Sequence, residues 1–181
     1  MRLFVGLDLP FELREKLAAI AGGLPGARWV PPDNYHLTLR FIGEVAPDTA
    51  EEIDGALAVL RGRGFPLALS GVGVFEKGGR PTALWAGVER SPQLDHLQAK
   101  IETALQRAGL DPVRRRFAPH VSLARLDNAA PHRLVSYLQT RSLFRTEPVP
   151  VDHFTLFSSL LGKEAAVYTA EVEYGLERAL A

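Results

Sequence analysis

HLTL at residues 36–39 and HVSL at residues 120–123 are two tetrads with one pattern, in which a single apolar position separates a histidine from a hydroxyl residue. Each tetrad lies in a stretch that alternates between polar and apolar residues, 35–42 and 117–125, and this alternation predicts a β-strand. Residues i and i+2 of a strand point to the same face, so each imidazole lies beside a hydroxyl. The sequence therefore predicts two half-buried strands that each carry a His–hydroxyl pair on one face.

The elements around the two tetrads also repeat. His36 and His120 are 84 positions apart, and each half of the chain reads as strand, helix, tetrad strand, helix and strand. Consecutive strands are joined through helices or hairpins without a long linker, and no G-x-G-x-x-G or Walker A sequence is present. We therefore expect residues 1–181 to form one α+β domain with an internal duplication and two related sheets, rather than a doubly wound nucleotide-binding fold.

The composition is that of a globular protein with no net charge. Its 21 lysines and arginines balance 21 aspartates and glutamates over 181 residues, so the chain lacks the strongly basic character of many nucleic-acid-binding domains. A few cations at one site are enough to contact a nucleic acid locally, so neutrality limits the mode of nucleic-acid contact without excluding it. The chain has no cysteine, which excludes disulfides, thiol nucleophiles and thiolate metal sites.

The sequence offers no segment typical of membrane insertion or export. Its apolar runs are shorter than the roughly 18 to 20 residues that span a bilayer, and the N-terminal residues lack the apolar core and cleavage site of a signal peptide. We therefore expect a soluble, cytoplasmic protein that does not act at a membrane, and we expect it to be a monomer.

The two tetrads suit acid–base chemistry on a phosphodiester. If they face each other across a cleft, they supply two groups that titrate near neutral pH and two hydroxyl donors. A neutral histidine can take a proton from the attacking water, and a protonated histidine can give one to the leaving oxygen, while the hydroxyls bind the phosphoryl oxygens. Neither step requires a metal ion or another cofactor. The pattern alone does not assign the two roles, because the tetrads are equivalent.

A zinc site is the alternative use of paired histidines. Such a site usually has at least three protein ligands, and the further histidines, His96, His132 and His153, have no ligand-like spacing in the sequence. We expect these three residues to be structural or to lie at the surface, and we predict no metal site.

The tetrads and their flanks resemble the two-histidine (2H) phosphoesterase superfamily, and in particular its branch of bacterial and archaeal RNA 2',3'-cyclic phosphodiesterases, historically called 2'-5' RNA ligases. The similarity extends from about residue 2 to residue 175. One departure is Ser122, where threonine is commoner; serine keeps the hydroxyl that would contact the phosphate. The matching stretches are 2–5 with Pro10, 28–31, 34–43, 80–81, 84–88, 118–125, 156–160 and Tyr168.

The resemblance implies an enzyme that hydrolyses the 2',3'-cyclic phosphate at an RNA 3' end to a 2'-phosphate without metal or cofactor. His36 would be the proton donor to the leaving 3' oxygen, and His120 the proton acceptor that activates water. Thr38 and Ser122 would bind the phosphate. The family also implies two pseudo-symmetric lobes, each an antiparallel β-sheet with outer helices, around a central cleft that holds the tetrads.

Two arginines next to the tetrads are candidates for substrate contact. Arg125 follows the second tetrad, and strand alternation places it opposite to His120, so it reaches the phosphate only if a bulge or strand end changes its side. Arg40 shares the face of His36 and Thr38 in a regular strand. It therefore either lines the cleft or forms the solvated end of the strand.

Aromatic and basic side chains near the tetrads add further candidates. Tyr35 could contact the substrate by stacking on a base, whereas strand alternation assigns Phe41 to the core. The basic cluster at residues 114–116 either steers an RNA end toward the cleft or is a solvated turn.

Other functions would use the same residues. A 2'-5' RNA ligase or 2'-5' phosphodiesterase, or a phosphodiesterase of small cyclic nucleotides, would employ the same histidines, with an RNA 5'-hydroxyl replacing water in the case of ligation. A non-catalytic module that binds RNA ends is a further alternative and predicts salt-sensitive binding without a product. The intact pair of tetrads disfavours such a module, because binding requires no acid–base pair.

Overall fold

The computed structural model describes residues 1–178 and contains, within them, ten β-strands, four α-helices and one short 3-10 helix. No helix in this part of the chain is long and apolar enough to cross a membrane. The strands are β1 (Arg2–Asp8), β2 (Ala27–Trp29), β3 (His36–Glu44), β4 (Phe65–Leu67), β5 (Leu69–Lys77), β6 (Arg80–Val88), β7 (His120–Leu126), β8 (Val149–Val151), β9 (His153–Leu161) and β10 (Ala166–Gly175). The helices are α1 (Phe11–Ile20), α2 (Pro47–Ala58), α3 (Pro92–Arg107) and α4 (Pro131–Thr140), and the 3-10 helix is Pro32–Asn34.

Eight of the strands form one sheet in the order β10-β9-β1-β3-β7-β6-β5, with β2 also paired to β7. All of these pairs are antiparallel. β3 and β7, the strands that carry the tetrads, are neighbours at the centre of the sheet and pair at Leu37 and Val121. An antiparallel sheet combined with packed helices confirms the predicted α+β class.

The two lobes are the two halves of this sheet, and each takes strands from both halves of the chain. β1 pairs with β3 in one lobe, and β6 pairs with β7 in the other. The strand beyond each pair belongs to the other sequence repeat. β9 of the second repeat pairs with β1, and β5 of the first repeat pairs with β6. β4 and β8, which start 84 positions apart like the tetrads, form a separate two-stranded sheet. The predicted lobes are present, but neither is a contiguous half of the chain.

The aliphatic residues of the tetrads lie on the helix side of the sheet. Leu37, Val121 and Leu123 have no exposed surface, and Leu39 is 3% exposed. They share one apolar core with the inward faces of the helices, which include Leu13, Leu17, Ile53, Leu57, Leu94, Ile101 and Leu134. Burial of this layer drives folding. It also turns the polar residues of the tetrads to the opposite face of the sheet.

A β-bulge lies at the last residue of each tetrad. Leu39 of β3 has no partner on β1, and Leu123 of β7 has none on β6. In each strand this residue and its successor, Arg40 or Ala124, are both buried, with Arg40 9% and Ala124 2% exposed. Because a bulge adds one residue to a strand, the alternation of faces is reversed beyond it.

Candidate active site

The residue pair that joins β3 to β7 places the polar residues of the two tetrads side by side. In antiparallel strands the residues that flank a pair are also opposite each other, so His36 lies across from Ser122 and Thr38 across from His120. The two imidazoles are therefore diagonal neighbours. Each has one hydroxyl on its own strand and one on the adjacent strand, and these four residues are called the quartet.

His36 is held at both nitrogens of its ring. Its Nδ1 is 2.8 Å from the carbonyl oxygen of Asn34, and its Nε2 is 2.9 Å from Oγ1 of Thr38. The ring packs against Phe4 at 4.8 Å and against Tyr168 at 5.1 Å between centroids. Because a carbonyl oxygen only accepts, Nδ1 carries a proton, and Nε2 is the nitrogen that gains or loses one.

The pKa of His36 is lowered from its ordinary value. Burial lowers it most, the carbonyl of Asn34 opposes this by raising it, and the charge of His120 lowers it further. The effect of His120 also shows that the two imidazoles lie within electrostatic range of each other. His36 is therefore neutral at pH 7 in the free protein, and an anion bound beside it would raise its pKa and favour the protonated form.

His120 has a matching arrangement. Its Nδ1 is 2.7 Å from the carbonyl oxygen of Ala118, two residues upstream, so its Nε2 is again the nitrogen that exchanges a proton. Phe75 lies edge-on to the ring at 4.8 Å, and Trp85 lies at 6.5 Å. A Cβ at Gly73 would collide with the indole of Trp85, so this glycine lets the indole lie across β5.

Thr38, Ser122 and Arg125 extend the site on the same face. Thr38 is half-buried and hydrogen-bonded to His36, whereas Ser122 and Arg125 are exposed. The bulge at the end of the second tetrad reverses the side of Arg125, which in a regular strand would face away from His120. The strand bulge that a contact between Arg125 and the phosphate requires is therefore present.

Arg40 is turned into the core by the bulge in β3, so both alternatives for it, a place in the cleft and a solvated strand end, are wrong. Its Nε donates to Glu102 at 2.7 Å, its Nη1 to the carbonyl of Phe41 at 2.6 Å, and its Nη2 to the carbonyl of Asp111 at 2.5 Å. The side chain of Arg40 is 8% exposed and that of Glu102 is 16% exposed. Burial alone would raise the pKa of Glu102, but its hydrogen bonds to Arg40, Gln106 and a backbone amide lower it, so the pair is ionised.

Tyr35 is also turned away from the cleft. It is 3% exposed and belongs to the apolar core, and this burial raises the pKa of its hydroxyl. Adjacent residues of an extended chain face opposite sides, so the orientation that places His36 in the cleft directs Tyr35 to the core. The predicted substrate contact of Tyr35 is wrong for this reason.

Phe41 takes the place on the cleft face that the sequence assigned to Arg40. It is 66% exposed and lies 5.9 Å from Phe4 between centroids, contrary to its predicted place in the core. Phe4 and Tyr168, which pack against His36, were not among the predicted site residues. A strand such as β1, with apolar residues on both faces, gives no contrast that would mark the cleft side.

His153, at the start of β9, is hydrogen-bonded at both ring nitrogens. Its Nε2 is 2.7 Å from Asp8 and its Nδ1 is 2.6 Å from Asp152. Asp8, His153 and Glu173 form, among residues 1–178, a group whose ligand atoms lie within 4.8 Å of one another. Carboxylates already engage both ring nitrogens, so we assign His153 to an ion-paired cluster, and the absence of a metal site stays a prediction.

The remaining sequence candidates lie at the surface. His96 and His132 are exposed on α3 and α4. Residues 114–116 are exposed in the loop before β7, which leaves open whether this basic cluster steers an RNA end or is only a solvated loop.

Comparison with protein families and curated proteins agrees with this geometry. The family described as LigT like Phosphoesterase matches residues 7–85 and 87–168. The RNA 2',3'-cyclic phosphodiesterase of Aeropyrum pernix is 34% identical over 159 residues, which cover 87% of this chain and 89% of that protein. The RNA 2',3'-cyclic phosphodiesterase of Thermotoga maritima is 30% identical over 187 residues, which cover 99% of this chain and 98% of that protein.

Solved structures share the fold over nearly the whole chain. The protein TT0787 of Thermus thermophilus matches with a TM-score of 0.81 at 26% identity, over 98% of this chain and 99% of that one. LigT of Escherichia coli in its apo form matches with a TM-score of 0.80 at 28% identity, over 97% of each chain. The same protein complexed with 3'-AMP matches with a TM-score of 0.78 at 27% identity, again over 97% of each chain. Both tetrads lie in the matched segments, and the chain belongs to the LigT-like family of 2H phosphoesterases.

Proposed function

We propose that the protein is an RNA 2',3'-cyclic phosphodiesterase, which opens the terminal cyclic phosphate of an RNA to a 2'-phosphate. The observation that carries this proposal is the quartet, in which two imidazoles and two hydroxyls adjoin on one face of the sheet. Each imidazole has its Nδ1 bound to a backbone carbonyl, which leaves Nε2 as the nitrogen that exchanges a proton, and in His36 this Nε2 is hydrogen-bonded to Thr38. The curated relatives that carry this name, and the complex of Escherichia coli LigT with 3'-AMP, support the same substrate class.

In this mechanism His120 is the proton acceptor and His36 the proton donor. Nε2 of His120 takes a proton from water as the water oxygen bonds to phosphorus, and the bond between phosphorus and the 3' oxygen breaks. Nε2 of His36 gives its proton to that oxygen, which leaves as the 3'-hydroxyl. Thr38 and Ser122 donate hydrogen bonds to the phosphoryl oxygens, and Arg125 balances their negative charge.

The lowered pKa of His36 suits a proton donor that becomes protonated only when the substrate binds. His36 is neutral in the free protein because burial disfavours its charged form. The cyclic phosphate is an anion, and its approach raises the pKa of this imidazole in the complex. Since an imidazole serves each proton transfer, we infer that the reaction proceeds without a metal ion or another cofactor.

Small cyclic nucleotides are a second substrate class, favoured by the complex of Escherichia coli LigT with 3'-AMP, a mononucleotide. A 2'-5' RNA ligase or 2'-5' phosphodiesterase would use the same quartet. We further propose that the enzyme is monomeric, because one chain supplies the whole quartet, and cytoplasmic, because a chain without cysteine suits a reducing compartment.

A short RNA that ends in a 2',3'-cyclic phosphate tests the activity when it is incubated with the protein, with and without EDTA. We expect conversion to a 2'-phosphate in both conditions, identified by which hydroxyl keeps the phosphate. Cyclic ends that persist in both conditions would refute the activity, and salt-sensitive binding without turnover would then favour the non-catalytic module. Turnover that is lost only with EDTA would refute the metal-free mechanism.

Alanine variants test the assignment of the quartet. His36→Ala and His120→Ala should each lower turnover by about 10²-fold or more, as expected for the loss of a general acid or base. His132→Ala makes the same change at an exposed histidine of α4 and should keep wild-type turnover. Wild-type activity in either quartet variant contradicts the assignment. Parallel assays on a 2'-5' dinucleotide and a mononucleoside cyclic phosphate separate the alternative substrates.

A further inference from the structure

Two arginines lie side by side on the cleft face, beyond the second tetrad. Arg28 of β2 is the register partner of Arg125 of β7, and directly opposed residues of antiparallel strands point to the same face of a sheet. Trp29, the next residue of β2, packs against the apolar core, which independently directs Arg28 to the cleft side. The cleft face therefore carries two adjacent guanidinium groups.

The backbone of β2 is fixed at both ends, so the position of Arg28 is well defined. The carbonyl of Gly26 accepts from the amide of Asp127 at 3.0 Å, and the amide of Val30 donates to the carbonyl of Leu123 at 2.8 Å. Gly26 has a φ of +85°, and a Cβ there would lie 3.0 Å from the carbonyl oxygen of Asp127, so glycine permits this close approach. These bonds hold β2 against β7.

The two arginines carry more positive charge than their surroundings balance. Like charges directly opposite each other destabilise a sheet. Within residues 1–178 the pair has one ionic contact, in which a carboxylate oxygen of Asp127 lies 3.1 Å from Nε of Arg28. These two side chains are 78% and 61% exposed, so their ion pair is weak and an anion from solution can compete for the guanidinium. The arrangement suits the binding of phosphate groups.

Arg28 lies on the same edge of β7 as His36. β6 pairs along one edge of β7, and β2 and β3 share the other. Since His36 is across from Ser122 and Arg28 from Arg125, the two residues are three positions apart along this edge, about 10 Å at the usual rise of a strand. This separation suits a contact with a phosphate one nucleotide away from the phosphate at the quartet.

The proposed reaction directs the RNA chain toward Arg28. The leaving 3' oxygen belongs to the ribose, so the ribose lies next to the proton donor, His36. The 5' oxygen of the same ribose carries the phosphodiester that continues the RNA. On the opposite side of His36, β1 presents the carboxylate of Asp8, which would repel this phosphodiester. This step rests on the proposed function, whereas the charge of the arginine pair does not.

We propose that Arg28 binds the phosphodiester on the 5' side of the terminal nucleotide, and that the substrate is accordingly an RNA chain rather than a mononucleotide. The two arginines then serve different phosphates, Arg125 the cyclic one and Arg28 its neighbour in the chain. Contacts with phosphates carry no sequence information, so this site selects for the presence of a chain and not for its bases. Arg28 is thus a substrate-binding residue.

Arg2 is the competing cation for this phosphodiester. It contributes to the wall of a cavity on the cleft side, together with Phe4. It lies at the end of β1 away from Asp8, and it faces the carboxylate of Glu44 across β1 and β3. An RNA chain that left the site along β1 would meet Arg2 instead of Arg28. A variant at Arg2 therefore distinguishes the two paths.

The test compares Arg28→Ala, Arg2→Ala and Arg61→Ala on two dinucleotides that end in a 2',3'-cyclic phosphate, one with a phosphodiester linkage and one with an uncharged methylphosphonate linkage. Arg61 is the matched control, because it also forms an exposed ion pair, with Glu177. We expect Arg28→Ala to raise KM for the phosphodiester substrate about tenfold, the loss of a charge-assisted hydrogen bond, with kcat little changed. Its KM for the methylphosphonate substrate should stay at the wild-type value, as should both KM values of Arg2→Ala and Arg61→Ala.

Equilibrium binding keeps this test independent of hydrolysis. By calorimetry, Arg28→Ala should weaken the binding of a dinucleotide with a terminal 2'-phosphate about tenfold and leave that of its methylphosphonate counterpart unchanged. The slope of log K against log salt concentration for the phosphodiester ligand should become shallower by about 0.7, the value of one phosphate contact on a single strand.

A protein that meets these binding expectations but does not hydrolyse cyclic ends has the phosphodiester site and lacks the proposed function. Equal losses for the two linkages, no loss, an unchanged salt slope, or a loss confined to Arg2→Ala would overturn the assignment of the phosphodiester to Arg28.

Discussion

Leu37 of β3 lies directly opposite Val121 of β7, and neither side chain has exposed surface. This pair determines which polar residues of the two tetrads become neighbours across the junction of the lobes. A shift of either strand by one residue would turn its imidazole and hydroxyl into the core and its aliphatic residues into the cleft. The packing of the core and the alignment of the quartet are therefore one feature of the molecule.

Leu37→Ala should lower the free energy of unfolding by about 2–5 kcal/mol, because it removes a fully buried side chain and leaves a cavity. Urea denaturation measures this change. Val59→Ala removes an aliphatic side chain that is 78% exposed and should change the free energy by no more than about 0.5 kcal/mol. Similar losses in the two variants would contradict the role of Leu37 as the central contact of the core.

Arg40→Met should lower the free energy of unfolding at neutral pH by about 3 kcal/mol, because the carboxylate of Glu102, whose side chain is only 16% exposed, would lose the partner of its charge. The pKa of Glu102 is lowered in the folded protein, so the ion pair contributes stability above the ordinary glutamate pKa, about 4.3. That contribution is lost as the pH falls through the folded pKa. The wild type and the variant should therefore converge in stability in acid.

Arg61→Ala is the matched control for this ion pair, because the side chains of Arg61 and Glu177 are 88% and 63% exposed. Exposed pairs contribute little, so this variant should unfold like the wild type at every pH. A difference between Arg40→Met and the wild type that does not change between neutral and acidic pH would show that packing, rather than the charge pair, accounts for the effect.

Strand alternation predicted the faces of β3 correctly as far as Leu39 and failed at the next two residues. The failure has a physical cause, because the bulge depends on pairing with β1 and on an ion partner 62 positions from Arg40. In the sequence, Arg40 and Phe41 continue the polar–apolar alternation of a regular strand. His36 and Thr38 could be placed on the correct face because they lie before the bulge. Phe41 could not, because it lies beyond the bulge.

The exchange of outer strands between the lobes was equally hidden from the sequence. A hydrophobic pattern identifies β5 and β9 as strands but does not say which neighbour each one pairs with. The contact of Phe4 with Tyr168 depends on this exchange, since β9 and β10 join the first lobe. The aromatic contacts around His36 could therefore be recognised only in the folded chain.

His153 should stabilise the fold in acid and lose this effect in alkali. Burial alone would lower its pKa, but Asp152 and Asp8 reverse this and raise it. The stabilisation is fully present below the ordinary histidine pKa, about 6.5, and is lost as the pH rises through the folded value. His153→Gln should therefore cost more stability at about pH 5.5 than at about pH 8.5, with His132→Gln as the exposed control. A cost that grows with pH would contradict the raised pKa.

Single variants of the quartet should reveal the role of each histidine through the pH dependence of their residual activity. In His120→Ala the remaining titrating group of the quartet is His36, which must be protonated to act as the donor. Its kcat/KM should therefore fall as the pH rises through the pKa of His36, which lies below about 6.5 because burial persists in the variant. In His36→Ala the remaining group is the proton acceptor, and kcat/KM should show no such fall over the same pH range. The pH profile of the wild type contains the contributions of both histidines and cannot assign their roles, so the two single variants are compared. A fall of kcat/KM in His36→Ala and none in His120→Ala would exchange the roles of the two histidines.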